Sequence, residues 1–160
     1  MELRPYGEDD LWLTEELETD PDVMSELGGP HAAELIPGIH EMRVKVVAAG
    51  DLWFVIEPEP GVAAGTIGVW PTTEDGVEMF EVGWTVRLSF QGQGIATRAL
   101  ALLIERARAE PRIDSVHAFP GVTNVPSNAL CRSAGFTQLE EREVDYRDRK
   151  LRVNHWALDL

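Results

Sequence analysis

Between Val77 and Ala107 the chain changes its period in mid-course. Val77 to Val86 reads as a β-strand, and a segment bearing Gly92 and Gly94 then leads into apolar residues at Ala96, Ala99, Leu100, Leu103 and Ala107. That second spacing is one face of an α-helix, and Pro111 stops it. A strand turned through glycines into an amphipathic helix points to a mixed α and β fold. It also leaves the first-turn N–H groups and the macrodipole of that helix free to hold an anion.

The flanking segments agree with this class. Glu2 to Pro5 reads as a short strand, and Glu8-Asp9-Asp10 opens a helix whose predicted apolar face uses Leu11, Trp12 and Leu17. Asp20-Pro21-Asp22 ends it. A helical turn from Val23 to Leu27 stops at Gly28-Gly29-Pro30, and a further helix is expected from about Ile39 to Ala49, ended by Gly50. Leu52 to Ile56 is a β-rich run, Val62 to Trp70 a second strand, and Thr72 to Gly76 the turn onto Val77. After the central helix come a short strand at Val116 to Phe119, a helix from Pro126 to Ala134 closed by Gly135, and a hairpin of Thr137 to Tyr146 with Leu151 to Leu158. The intervening Arg147-Asp148-Arg149-Lys150 is expected to be a solvated tip. With no repeat, low-complexity tract or linker, 160 residues read as one domain, 1–160.

Composition narrows the function. The formal net charge of −14 repels a phosphate backbone, so nucleic acid is not an expected partner. The same field favours cationic ligands such as amines. The single cysteine, Cys131, excludes an internal disulfide, and His31, His40, His117 and His155 lack ligand spacing, so no metal site is expected. No apolar run is long enough for a membrane span and the N-terminus does not read as a signal peptide, which together point to a cytoplasmic protein. Trp53, Trp70 and Trp156 are expected in the core or an interface.

The segment Gln91-Gly92-Gln93-Gly94-Ile95-Ala96-Thr97 is either a plain turn or a phosphate cradle. A dinucleotide fingerprint would need glycine at Thr97, and no Gly-Lys-Ser/Thr of a P-loop occurs. Gln91-Gly92-Gln93-Gly94-Ile95-Ala96 meets the Q/R-x-x-G-x-G/A signature of the GCN5-related N-acetyltransferase (GNAT) superfamily. Asn124-Val125-Pro126-Ser127 with Gly135-Phe136 resembles its second block. The phrase Glu81-Val82-Gly83-Trp84, with Ser127, is most similar to the branch of ribosomal-protein alanine acetyltransferases and amine acetyltransferases.

This resemblance implies a single-domain fold with a mostly antiparallel central sheet flanked by helices, and acetyl-CoA-dependent transfer to a primary amine, either a small molecule or a protein N-terminus. The alternative is a non-catalytic acyl-CoA-binding or regulatory module. The partners implied are coenzyme A and the amine, and a homodimer stays open. By similarity, the backbone of Gln91, Gly92, Gln93, Gly94, Ile95, Ala96 and Thr97 would bind the pyrophosphate, with the Thr97 hydroxyl as an added donor. The exposed strand backbone from Trp84 through Val86 to Leu88 would pair with pantetheine and offer an oxyanion donor. Asn124 would orient cofactor or substrate, unless it is only a cap. Glu81 would be the general base, with Glu78 the other carboxylate at hand. The family's tyrosine donor is replaced by Cys131, so Cys131, Ser127 or water would protonate the leaving thiolate. His31, between the first helices, is a candidate acceptor contact.

Overall fold

The computed structural model describes every residue except 148. Seven strands form one sheet: β1 (Glu2–Pro5), β2 (Leu52–Glu57), β3 (Gly65–Glu74), β4 (Val77–Val86), β5 (Ser115–Ala118), β6 (Thr137–Tyr146) and β7 (Arg149–Asp159). Their order is β1-β2-β3-β4-β5-β7-β6, and every pairing is antiparallel except β4 with β5. Four helices flank it: α1 (Leu11–Thr19), α2 (Ile36–Ala48), α3 (Ile95–Arg108) and α4 (Val125–Ser133). The mixed architecture expected from the sequence is the one observed.

Strand alternation assigns the two faces. Val82 and Val86 of β4, Val116 and Ala118 of β5 and Trp156 of β7 join Ala99, Leu100, Leu103 and Ala107 of α3 and Leu130 and Cys131 of α4 in the larger apolar core. The opposite face of β2 and β3 carries Trp53, Val55 and Trp70, which pack with Tyr6 and with Leu13 and Leu17 of α1 in a second cluster. The central helix therefore buries the stripe its sequence predicts.

The face of α1 differs from expectation. Its buried residues are Leu13, Thr14, Leu17 and Glu18, while Leu11 and Trp12 are exposed. Thr14 and Glu18 go inward because Arg43 of α2, itself buried, donates to both, at 3.0 Å in the case of Thr14 Oγ1. A count of apolar residues alone cannot see a polar stripe whose partners come from another helix. α2 begins at Ile36, earlier than expected, because Pro37 sits in the first turn, where its missing N–H costs nothing. β3 is shifted toward the hairpin: the turn is the pair Asp75-Gly76, both with positive φ, and not the longer Thr72 to Gly76.

At the β6–β7 turn Arg149 and Lys150 are exposed as expected of a solvated tip, but Arg147 is not. The Arg147 guanidinium donates to the carbonyls of Gly29 at 2.6 Å, Pro30 at 3.1 Å and Leu27 at 3.3 Å. It ties the hairpin to the glycine loop before α2. Asp148 of the same turn lies outside the described residues.

Candidate active site

The site is built where β4 leaves β5. The parallel pairing of these strands is confined to Glu81 with His117, and the chain turns away after Ala118. The Arg87 N–H donates to the Ala64 carbonyl at 2.9 Å, so by the alternation of an antiparallel ladder Glu81, Gly83 and Thr85 direct their backbone groups to β3. Trp84 and Val86 therefore direct theirs into the gap on the β5 side. In the gap, among the described residues, the Trp84 backbone groups and the Val86 N–H have no partner strand.

One end of the slot is braced from within. Gln91 Nε2 donates to the Val86 carbonyl at 2.9 Å and Gln93 Nε2 to the Ser89 carbonyl at 2.8 Å. Leu88, expected on the strand, lies beyond its end in the 3-10 turn Leu88–Phe90, and with Ser89 it lines a cleft of about 230 Å³ whose other wall is α1. The loop then enters α3 through Gly92 and Gly94, at φ 71° and 70°, a region other residues rarely adopt. No side chain caps α3, and a Cβ at either glycine would meet nothing within 4 Å. Among the described residues the first-turn N–H groups of Ile95, Ala96 and Thr97 have no acceptor. Ile95 itself is buried, Ala96 is half-buried and Thr97 is exposed.

The start of α4 is finished differently. Asn124 is its N-cap, its Oδ1 accepting from the Ser127 N–H at 3.1 Å. The Ser127 side chain is half-buried on that first turn. Cys131 is wholly buried in the larger core, and burial pushes its thiol up to about 12. It has no exposed surface from which to reach a ligand. Asn128, overlooked in the sequence, binds the Gly121 and Asn124 carbonyls through Nδ2 and receives Asn154 Nδ2 and Trp156 Nε1 on Oδ1. It fastens α4 to β7, a role its sequence context does not disclose because β7 lies 26 residues away.

On the opposite face Glu81 stands beside Trp70. Desolvation pushes its carboxyl up to about 7, with the nearby Glu74 charge adding to the effect. Glu78 is exposed. Tyr146, at the end of β6, is also raised by burial, and it feels Glu18 and Glu81 on one side and Arg147 and Arg43 on the other. His31 joins this group: its N–H donates to the Glu18 carbonyl at 2.7 Å and its Nε2 lies 3.6 Å from Glu18 Oε2. Burial lowers its ring pKa. Thr123 Oγ1 donates to Glu26 Oε2 at 2.6 Å, so the segment between α1 and α2 is pinned both to the β5–α4 loop and, through Arg147, to the β6–β7 hairpin. Among the described residues no cluster of three His, Cys, Asp or Glu could hold a metal ion, and no helix is long and apolar enough to cross a membrane.

The family model for the Acetyltransferase (GNAT) domain matches residues 1–137. The chain belongs to the GNAT acetyltransferase family. Solved structures agree with this GNAT fold. A ribosomal-protein-alanine N-acetyltransferase from Brucella melitensis matches over 100% of both chains, with TM-score 0.82 and 24% identity. Spermidine N-acetyltransferase from Vibrio cholerae, in complex with CoA and spermine, matches over 99% of this chain and 94% of its own, with TM-score 0.81 and 16% identity. An acetyl transferase from Salmonella typhimurium that modifies the N-terminal serine of 50S ribosomal subunit protein L7/L12 has TM-score 0.81 and 20% identity, over 99% and 94% of the two chains. No curated protein is significantly similar in sequence. This GNAT chain is an acyltransferase.

Proposed function

We propose that this GNAT protein transfers the acetyl group of acetyl-CoA directly to a primary amine, with Glu81 as the general base. The observation that carries the reading is Glu81 itself: a carboxyl without a cationic partner among the described residues, pushed up to about 7, on β4 beside the point where that strand leaves β5. When bound, acetyl-CoA would supply an activated thioester carbonyl. The uncapped start of α3, with its two positive-φ glycines, suits the pyrophosphate, and the Trp84 backbone with the Val86 N–H suits an extended arm and the oxyanion. Asn124 acts as the α4 cap and shapes the neighbouring wall.

An ammonium has no lone pair with which to attack, so Glu81 accepts its proton, directly or through water. A carboxyl with a pKa near neutrality is matched to that task, being ionised often enough to accept while still basic. Ser127, partly exposed on the first turn of α4, is placed to protonate the thiolate; Cys131, wholly buried, is not. The CoA-bound relative that also binds spermine supports an amine acceptor, as does the net charge of −14. The burial of Cys131 where relatives place a proton donor favours the second reading, a non-catalytic acyl-CoA-binding module.

Incubation with acetyl-CoA, a thiol-detecting reagent and a panel of alkyl and aryl amines separates the two. Amine-dependent release of CoA is expected. CoA binding by calorimetry without any amine-dependent thiol release would favour the binding module.

A further inference from the structure

On the face of the sheet that carries Glu81, β5 and β7 bring two imidazoles into contact. His117 Nδ1 and His155 Nε2 are 2.9 Å apart. Phe119 stacks on the His155 ring, with centroids 4.6 Å apart, and holds its orientation. His117 is the residue in register with Glu81, and adjacent strands lie about 4.8 Å apart, so the two side chains are neighbours on one face. Beyond the pair, His155 Nδ1 is buried without a hydrogen-bond partner among the described residues and lies 3.8 Å from Oε1 of Glu140, whose carboxylate is 58% exposed. From β4 outward to solvent the order is Glu81, His117, His155, Glu140.

A ring-nitrogen contact of this length holds one proton, since two N–H groups cannot face each other across it. With His117 as donor to His155, the remaining His117 nitrogen, Nε2, is an acceptor 3.3 Å from Ser115 Oγ, and the remaining His155 N–H points toward Glu140. The charged groups around the pair are Asp114 and Asp159 near His117 and Arg142 and Glu140 near His155, with Glu74 beside Glu81. Burial lowers both imidazoles, which keeps them neutral and able to accept a proton in transit.

The chemistry supplies a proton to move. When an alkylammonium is acetylated, the N–C bond forms, the C–S bond breaks, and nitrogen loses two protons. One protonates the thiolate and the other must leave the site. A neutral arylamine loses only the proton that the thiolate takes up. We propose that His117 and His155 relay to solvent the proton that Glu81 takes from an ammonium acceptor. Glu81 passes it to His117 Nε2, through one water where the gap requires it, while His117 Nδ1–H moves to His155 Nε2 and His155 Nδ1–H is released toward Glu140. Each ring gains one proton and loses one. The inference rests on the reading of Glu81 as the base.

The test uses the full chain with His117→Gln and His155→Gln prepared separately, each checked for cooperative thermal unfolding, so that one variant suffices if the other does not fold. Steady-state rates are measured at pH 7 with acetyl-CoA and either an alkylamine or a weakly basic arylamine. For the alkylamine, kcat should fall about five- to twentyfold, the order of a partly impaired proton transfer, with KM for acetyl-CoA unchanged. The loss with the arylamine should be several-fold smaller, and added imidazole should restore part of the alkylamine rate of His155→Gln. Equal losses on both acceptors, or no loss, overturn the relay. If Glu81→Gln is slow while both histidine variants run at the wild-type rate, only the relay fails; if Glu81→Gln is itself at wild-type rate, the base assignment fails and the relay with it.

Discussion

Glu57 and Glu81 are two glutamates on neighbouring parts of one sheet, and their surroundings drive them in opposite directions. Glu57, at the end of β2, is buried but receives Arg4 Nε at 2.7 Å and the Gly61 N–H at 3.2 Å, and these hold its carboxyl below the ordinary range. Glu81, two strands away on β4, has no cation and a second carboxylate near it, and burial pushes it up to about 7. Glu18, beneath α2, follows Glu57 in being paired, with Arg43. Burial alone therefore does not set the direction of a carboxyl's shift. What decides it is whether the fold supplies a cation beside the desolvated group.

The largest way to break the comparison is to make a paired glutamate resemble Glu81. Arg43→Ala leaves Glu18 buried without its cation and also removes the guanidinium stacked 5.0 Å over Trp53. Stability should drop by about 3–5 kcal/mol in urea melts. The double variant Arg43→Ala, Glu18→Gln should recover a good part of it, and a single variant as stable as the wild type would contradict the distinction.

Glu81→Gln tests the other side. It keeps the shape and removes the proton acceptor, so kcat toward an alkylamine should fall ~10²-fold or more while CoA affinity holds. The low-pH limb of kcat/KM, expected near 7 in the wild type, should disappear in the variant. A wild-type limb near 4 would show that Glu81 is not the group being titrated.

The two helix starts extend the same contrast to backbone groups. α4 is satisfied by Asn124, while α3 is left uncapped. Gly94→Asp puts a negative charge at the open end and should weaken CoA binding at least tenfold, about 1.4 kcal/mol. Gly94→Asn is the control, because asparagine tolerates positive φ nearly as well without the charge. Calorimetry giving the same affinity for both variants would move the pyrophosphate elsewhere.

The smallest effect is on stability against pH. A carboxyl whose pKa is raised on folding favours the folded state in its neutral form, so its contribution is present at low pH and is lost as pH rises from the unfolded value of about 4.5 through about 7. The melting temperature of the wild type should fall relative to Glu81→Gln between pH 5 and 8. Glu57, lowered on folding, contributes in the opposite sense, its stabilisation present above the unfolded pKa and lost as pH falls. A difference between the two proteins that is flat in pH would remove Glu81 as the source.

Much of this was legible along the chain because it depends on neighbours in sequence. The central helix α3, the turn that enters it and the bounds of β4 come from local period, glycine placement and Pro111, and the two signature blocks are short contiguous strings. Where partners are distant, the reading failed for a definite reason. The buried face of α1 was misassigned because Thr14 and Glu18 owe their burial to Arg43, 29 and 25 residues further on. Within the basic turn only Arg147 departs from a solvated tip, because the carbonyls it binds lie about 120 residues earlier.

By itself, the sequence determined the mixed α and β class, the glycine turn into α3 and the membership of a superfamily, since each rests on short-range spacing. Only the tertiary structure decided which polar residues are paired and which are not. It left Glu81 without a cation, walled in Cys131, used Asn124 as a cap and brought His117 against His155. Charge compensation and desolvation are sums over everything within a few ångströms, and those neighbours are chosen by the fold, not by the order of the chain.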